Sequence, residues 1–127
     1  MNRRRATAAA LSIAHTSTHD RYKIGSVVTL RSGQSYMGYN QAKSHPLQRR
    51  FDVYGTEKLH AEVHALSVAL RYHGALDLRG SVVYVARVGG GLCRPCASCM
   101  RALRHFGVSK VHYMTGEPTE PWRVESL

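Results

Sequence analysis

Two short motifs, His60-Ala61-Glu62 and Pro95-Cys96-Ala97-Ser98-Cys99, constrain the fold most, because together they supply the ligands of one metal ion. One imidazole and two thiolates suit a tetrahedral zinc ion whose fourth position stays open, which is the pattern of catalytic rather than structural sites. Because the motifs lie far apart in the chain, the fold must bring them together. The sequence therefore predicts one catalytic Zn²⁺ held by His60, Cys96 and Cys99.

Both motifs lie where helices are predicted to begin. Cys96 and Cys99 share one face of a helix at this spacing, and Pro95 suits a helix start, where a missing N–H costs nothing. The other helix is predicted from apolar residues at helical spacing, which are Leu59, Val63, Leu66 and Leu70. The positive end of a helix dipole favours thiolate over thiol. Two helix N-termini placed edge to edge could then surround one ion with three ligands.

Glu62 is the predicted catalytic residue. It lies two residues after His60, so it points to a different side of the helix and can stay near the ion without binding it. Two thiolates neutralise Zn²⁺, so a nearby base that moves protons is useful. The alternative is a closed structural site in which Cys93, at C-x-x-C spacing, is a fourth ligand. Glu62 would then have no task, so we favour the open site, with Cys93 as a core or loop residue.

Composition narrows the class of protein. The chain has 127 residues, of which 43% are hydrophobic, so we expect one domain over 1–127. No apolar run approaches the roughly 20 residues that cross a bilayer, so we expect no membrane association. An odd number of clustered cysteines argues against a secreted disulfide framework and for metal ligands in a reducing compartment. We therefore expect a cytoplasmic protein.

The chain is strongly basic. Lys and Arg number 18 against 8 acidic residues, giving a net charge of +10, which favours a partner that carries phosphate. Charge alone does not separate a mononucleotide from a polynucleotide. Candidate phosphate contacts are Arg49, Arg50, Arg94, Arg101 and Arg104, of which Arg94 is the one we select.

The pattern of apolar and turn residues predicts a mixed α/β protein. Predicted helices cover 4–17, 59 to about 74, and 96–106; predicted strands cover 22–30, 35–39, 81–88 and 110–114, with a hairpin turn at 31–34. The last two strands each follow a helix, so they should be parallel, in a mixed sheet with helices on both faces. Residues 40–58 are interpreted as a loop over the site, and the tail after Gly116 is left unassigned.

Several stretches resemble the cytidine and deoxycytidylate deaminase superfamily of zinc-dependent nucleobase deaminases. Besides the two motifs, they are Lys23–Val28, Gly38-Tyr39-Asn40, His60–Leu66 and Gly107–Tyr113. The resemblance covers about 22–114 and looks closest to the deoxycytidylate deaminases. It implies an α/β protein with a three-layer α/β/α cytidine-deaminase-like fold and a mixed central sheet of about five strands. It also implies a homo-oligomer.

The resemblance implies a zinc-dependent hydrolase that deaminates cytosine to uracil in a free nucleotide, with deoxycytidylate as the first candidate substrate. Glu62 would move protons, and Asn40 would hydrogen-bond the sugar or the base. The further predicted substrate contacts are Tyr54, Ala61, His64 and Arg94. Three departures leave the substrate open. His64 stands where deoxycytidylate deaminases usually carry asparagine, Gln41 stands where they carry glycine, and Leu92-Cys93-Arg94 replaces the segment in which threonine is common.

Two other functions remain open at this point. The first is a cytidine deaminase, or less favoured an adenosine deaminase, acting on single-stranded DNA or RNA. The basic charge supports it, but the chain has only 8% aromatic residues and lacks the basic and aromatic stripe typical of single-strand binders. The second is a non-enzymatic zinc module that binds nucleic acid. Turnover of nucleotides and of an oligonucleotide, offered in parallel, separates these functions.

Overall fold

A computed structural model describes residues 1–19, 21–52 and 58–127. Its helices are α1 (Arg3–Ala14), α2 (Pro46–Phe51), α3 (Ala61–Leu70) and α4 (Ala97–His105), with one 3₁₀ turn at Ala75–Leu78. Its strands are β1 (Ile24–Thr29), β2 (Ser35–Tyr39), β3 (Val82–Arg87), β4 (Lys110–Met114) and β5 (Trp122–Ser126). The predicted substrate contact Tyr54 lies outside the described residues.

The strands form one five-stranded mixed sheet in the order β2-β1-β3-β4-β5. β1 and β2 make an antiparallel hairpin, and β1 also pairs antiparallel with β3. β3 and β4 are parallel, because α4 carries the chain back to the end of the sheet where β3 began. This confirms the predicted mixed sheet and the parallel arrangement of the two strands that follow helices.

Helices cover both faces of the sheet, which confirms the three-layer α/β/α fold. In β3, Val83 and Val85 are fully buried in the core on one face, where α3 and α4 pack. Tyr84 and Ala86 point to the other face, where they contact α1. This double burial explains why β3 reads as a continuous apolar run rather than as an alternating one.

Two glycines let helices approach the sheet more closely than any other residue would allow. A Cβ on Gly25 would lie 2.1 Å from the carbonyl oxygen of Ala10 in α1, and a Cβ on Gly38 would lie 2.3 Å from the backbone nitrogen of Ala65 in α3. Since the obstacles are backbone atoms, side-chain movement cannot relieve the contact. Gly38 thus sets the distance between β2 and the helix that follows His60.

The structure corrects one part of the sequence prediction and completes another. The stretch predicted as a loop contains α2, whose first turn is capped by Nδ1 of His45, which accepts a hydrogen bond from the Leu47 backbone at 3.0 Å. Six residues are too few for helical periodicity to show. The unassigned tail contains β5, which pairs antiparallel with β4. In the described part of the chain, no helix has the length and apolarity needed to cross a membrane.

Candidate metal centre and active site

The structure brings the three predicted metal ligands together. Nδ1 of His60 lies 3.1 Å from Sγ of Cys99 and 3.5 Å from Sγ of Cys96. All three ligand atoms lie within 4.8 Å of one another, and they are the only such group found in 1–19, 21–52 and 58–127. One nitrogen and two sulfurs at this spacing are the donor set that zinc prefers.

The ligands converge because each motif begins a helix. His60 is the N-cap of α3 and Cys96 is the N-cap of α4, and both have extended backbone angles. Neither side chain caps its own helix, so both remain directed at each other. Cys99 follows in the first turn of α4 and is fully buried. The N-termini of the two helices therefore meet in the structure, as the sequence predicts.

The protonation of the two thiols depends on their contact. The hydrogen bond from the Cys99 thiol, together with one from His60, lowers the pKa of Cys96 to about 3. The same contact and burial raise the pKa of Cys99 well above its ordinary value. One thiolate is therefore already present at neutral pH, and binding zinc would release the second proton. The donor set fits the ion.

Cys93 lies apart from this group. Its Sγ donates a hydrogen bond to the carbonyl oxygen of Val85 at 3.3 Å, and burial raises its pKa to about 12. A neutral thiol engaged with the end of β3 is not placed as a fourth ligand. This position supports the open three-ligand site over the closed Cys₃His site.

Glu62 lies in the first turn of α3 with only 5% of its surface exposed. Burial raises the pKa of its carboxyl group, while the nearby His60 opposes that shift, and its side chain is hydrogen-bonded with Cys99. Because burial favours the protonated form, this carboxyl group holds a proton more readily than an exposed one, which suits a group that accepts and returns protons beside the metal ligands.

A cavity of about 450 Å³ opens beside the ligand group. Its lining includes His60, Cys96 and Glu62, and also three predicted substrate contacts: Asn40, Ala61 and Arg94. Besides Cys93 and apolar residues, the lining includes basic and aromatic side chains that were not predicted as site residues: His19, Tyr22, Lys58 and Arg87. Arg87 ends a strand parallel to its neighbour, and the carboxyl ends of such strands commonly carry sites; that signal could have identified it.

Arg94 reaches the cavity but is already engaged. Its Nε donates to Oε2 of Glu125 at 2.6 Å, and its Nη2 donates to Oε1 at 3.1 Å. This bidentate pair lowers the pKa of Glu125 to about 2. The sequence could not anticipate the pair, because Glu125 lies in the tail that it left unassigned. Arg94 thus ties the segment before Cys96 to β5.

His64 does not line the cavity. Its Nδ1 accepts a hydrogen bond from the Tyr39 backbone at 3.0 Å and lies 3.1 Å from Nε2 of Gln41. Its ring meets that of Tyr39 edge to face, with centroids 4.9 Å apart. This position therefore does not favour the predicted contact between His64 and the substrate. His64 instead joins α3 to the end of β2.

Gln48 is another residue that the sequence analysis missed. It lies in α2 with no exposed surface, and its Oε1 accepts a hydrogen bond from the backbone nitrogen of His60 at 3.0 Å. That N–H belongs to the N-cap of α3, so the bond fixes the backbone of a metal ligand. Interactions of this kind orient ligands and tune metal affinity.

The sequence profile described as "Cytidine and deoxycytidylate deaminase zinc-binding region" matches residues 1–115. The chain belongs to this family of zinc-dependent deaminases, so it is a zinc-binding hydrolytic enzyme, as predicted. Among curated protein sequences, no relative is found.

Solved structures share the fold. Cytidine deaminase from Burkholderia pseudomallei is 21% identical over 99% of this chain and 93% of its own, with a TM-score of 0.72. Cytidine deaminase from Mycobacterium leprae is 20% identical over 98% and 93%, with a TM-score of 0.68. The dCMP deaminase of cyanophage S-TIM5 is 21% identical over 91% and 86%, with a TM-score of 0.64. At these identities the similarity shows the fold and leaves the substrate open.

Proposed function

We propose that this deaminase acts on a free cytosine nucleotide, with deoxycytidylate, converted to dUMP, as the first candidate. The observation that carries the proposal is the charge of the cavity wall, where Arg87 and Lys58 face the same space as Glu62. Within the described ranges, no carboxylate lies at ion-pair distance from either cation. Cations in a substrate cavity that have no carboxylate partner among the described residues are suited to a phosphate group.

The guanidinium of Arg87 is held in place by its neighbours. Its Cζ lies 5.2 Å from the centre of the Tyr22 ring, and its Nη1 donates to the carbonyl oxygen of Leu92 at 3.4 Å. The side chain is half-buried, which weakens the screening of its charge by water. A phosphate bound here would displace water and supply a negative charge next to the guanidinium.

The reaction follows from the groups around the cavity. Zinc held by His60, Cys96 and Cys99 would supply an activated water at neutral pH. Glu62 accepts a proton as the C4 carbon of cytosine is attacked, and returns a proton to the amino group that leaves as ammonia. Burial of Glu62 supports this role because it raises the pKa toward the range in which a carboxyl can do both.

A related structure supports a nucleotide substrate. The cyanophage S-TIM5 dCMP deaminase has been solved in complex with dCMP and dUMP. The cytidine deaminases that share the fold support an unphosphorylated nucleoside instead. The cations Arg87 and Lys58 are the feature of this chain that favours the first possibility.

The test offers dCMP, dCTP, cytidine and a single-stranded oligonucleotide in parallel and measures ammonia release. We expect preference for a nucleotide over cytidine, and we expect Arg87→Ala to reduce that preference by about tenfold or more, as loss of a charge-assisted contact does. Arg104→Ala removes an exposed guanidinium outside the cavity and is the matched control. Turnover of the oligonucleotide alone, or an unchanged preference in Arg87→Ala, would contradict the proposal.

Deamination within single-stranded nucleic acid remains the second candidate. It is favoured by the basic side chains of α2 and α4, where Arg49, Arg50, Arg101 and Arg104 are exposed. A non-enzymatic zinc module is disfavoured by the family to which the chain belongs. The oligonucleotide in the substrate panel tests the second candidate directly.

We also propose that the chain forms a homo-oligomer. Helix α1 contacts β1, β2 and β3 on one face of the sheet. Val124, in the edge strand β5, is 51% exposed. A single exposed apolar side chain is ordinary on a protein surface, so this proposal rests mainly on the homo-oligomer that the resemblance to the deaminase family implies. Light scattering should give a mass that is a multiple of 14.1 kDa; a monomer at micromolar concentration would exclude this part of the proposal.

A further inference from the structure

Ser17 and Asn40 form a buried hydrogen-bonded pair at the edge of the cavity. Ser17 follows α1 and is 6% exposed, and Asn40 follows β2 and is 5% exposed. Oγ of Ser17 lies 2.5 Å from Oδ1 of Asn40 and 2.7 Å from its carbonyl oxygen. Two segments that are distant in the chain are thus joined through one hydroxyl group.

The side chain of Asn40 is engaged on both of its ends. Besides Ser17, its Oδ1 accepts a hydrogen bond from the backbone nitrogen of Ile24 at 2.9 Å. Its Nδ2 donates to the carbonyl oxygen of Tyr22 at 3.1 Å. The carbonyl end of the amide therefore already has two donors, and the amino end already has one acceptor.

These bonds fix the wall that carries His19 and Tyr22. The His19 backbone nitrogen donates to Oγ of Ser17 at 3.1 Å, and Nδ1 of His19 accepts from the backbone of Tyr22 at 3.3 Å. The two rings stack with centroids 4.3 Å apart, and Arg87 lies over the Tyr22 ring. His19, Tyr22 and Arg87 all line the cavity.

We propose that Ser17 and Asn40 are positioning residues: they hold the stacked rings of His19 and Tyr22, and through Tyr22 the Arg87 guanidinium, in the conformation that receives the substrate. Asn40 also lines the cavity, and one hydrogen of its Nδ2 is left for the sugar or the base that the family resemblance assigns to it, so the positioning role adds to that contact and does not replace it. The assignment of Ser17 has no counterpart in either sequence motif. The activity measurements below rest on the proposed function.

The two roles predict different kinetics. The wall holds parts of the substrate that do not react, whereas Glu62 and the metal ligands lie on α3 and α4. Loosening the wall weakens binding of the substrate and of the transition state alike, which raises KM and leaves kcat nearly unchanged. A residue that touches one sugar hydroxyl would instead discriminate between ribose and deoxyribose substrates.

Ser17→Ala is the first test, with Thr16→Ala as the matched control, because the Thr16 hydroxyl is exposed and bonds only within its own turn. We expect KM to rise about tenfold in Ser17→Ala, as when a buried hydrogen bond is lost, with kcat within about twofold. Asn40→Asp keeps the acceptor but loses the donor to Tyr22, and should shift KM in the same direction. Ser17→Thr keeps the hydroxyl and should restore KM.

A double-mutant cycle identifies the path of the effect. If Ser17 acts through Tyr22, adding Ser17→Ala to Tyr22→Ala should change KM by less than about twofold further. Additive effects would overturn the proposal, as would a Ser17→Ala enzyme with the KM of the parent protein. So would an Asn40→Asp effect that depends on the sugar while Ser17→Ala has none.

Hydrogen exchange tests the same proposal without any substrate. The backbone amides of Tyr22 and Ile24 should exchange faster in Ser17→Ala and Asn40→Asp, and at the parent rate in Thr16→Ala. Unchanged exchange in both variants would contradict the positioning role. This readout also separates the two proposals: if the parent protein deaminates no cytosine nucleotide, the proposed function fails, while exchange still reports on the wall.

Discussion

Replacing Gln48 by Leu tests how the backbone of a metal ligand is held. Leu has a similar volume, so the change removes an acceptor without leaving a large hole. The His60 N–H, which donates to Gln48 at 3.0 Å, then loses its partner next to a side chain that has no exposed surface. An unsatisfied buried donor costs about 1–3 kcal/mol. Within the described residues, Nε2 of Gln48 has no partner, so its removal offsets part of that cost.

The substitution should affect the stability of the fold and the affinity for zinc to different extents. Overall stability should fall by only about 1 kcal/mol, because the lost bond and the removed orphan group partly cancel. Zinc affinity should fall about 10- to 100-fold, the usual effect of losing an interaction that orients a ligand. A tenfold change corresponds to about 1.4 kcal/mol, so this range matches the cost of the unpaired N–H.

Competition with a colorimetric zinc chelator measures the affinity. Gln34→Leu is the control, because the Gln34 side chain is exposed in the hairpin turn and, among the described residues, bonds only with Ser32. If Gln48→Leu bound zinc as tightly as the parent protein while remaining folded, the inference that α2 supports the metal site would be refuted.

Three further predictions concern other parts of the molecule. Glu62→Gln should retain about one zinc per chain by metal analysis but lose about 10²- to 10⁴-fold in ammonia release; retained turnover would exclude Glu62 as the proton carrier. Gly38→Ala should lower the unfolding free energy by about 1–3 kcal/mol, because the new Cβ would meet the Ala65 backbone at 2.3 Å. Gly74→Ala is the control and should leave the unfolding free energy nearly unchanged, because Gly74 has open space around it. Equal melting temperatures for the two variants would count against the close packing of Gly38. Arg94 lowers the pKa of Glu125 from 4.5 to about 2, so the pair stabilises the fold above about pH 4.5 and loses this contribution as the pH falls toward 2. Urea unfolding should show Glu125→Gln less stable than the parent protein by at most about 1 kcal/mol at pH 6, with the gap closing in acid; a gap that widened in acid would contradict the sign.

The metal site was predictable because each half of it is local. Pro95, Cys96 and Cys99 carry both a helix start and a shared face in one short stretch, and His60 and Glu62 lie together at the start of the other helix. β3 was predictable because double burial makes its sequence continuously apolar. In each case one short segment contains the whole signal.

The cavity wall was not predictable because its parts are joined by hydrogen bonds between distant segments. Ser17 and Asn40 are ordinary polar residues until the fold places one against the other. Gln48 lies in a helix too short to show periodicity, and Glu125 lies in an edge strand whose side chains are largely exposed. His64 lies outside the cavity because it bonds to the end of β2. Its position four residues after His60 does not reveal those bonds.

X-ray absorption at the zinc edge on the purified protein tests the central claim most directly. The structure predicts one zinc per chain, bound by one imidazole nitrogen and two sulfurs, with the sulfur count unchanged in Cys93→Ser and reduced in Cys99→Ser. A third sulfur that disappears in Cys93→Ser would show a closed structural site and would contradict the assignment of this centre to hydrolysis; so would a protein that binds no zinc.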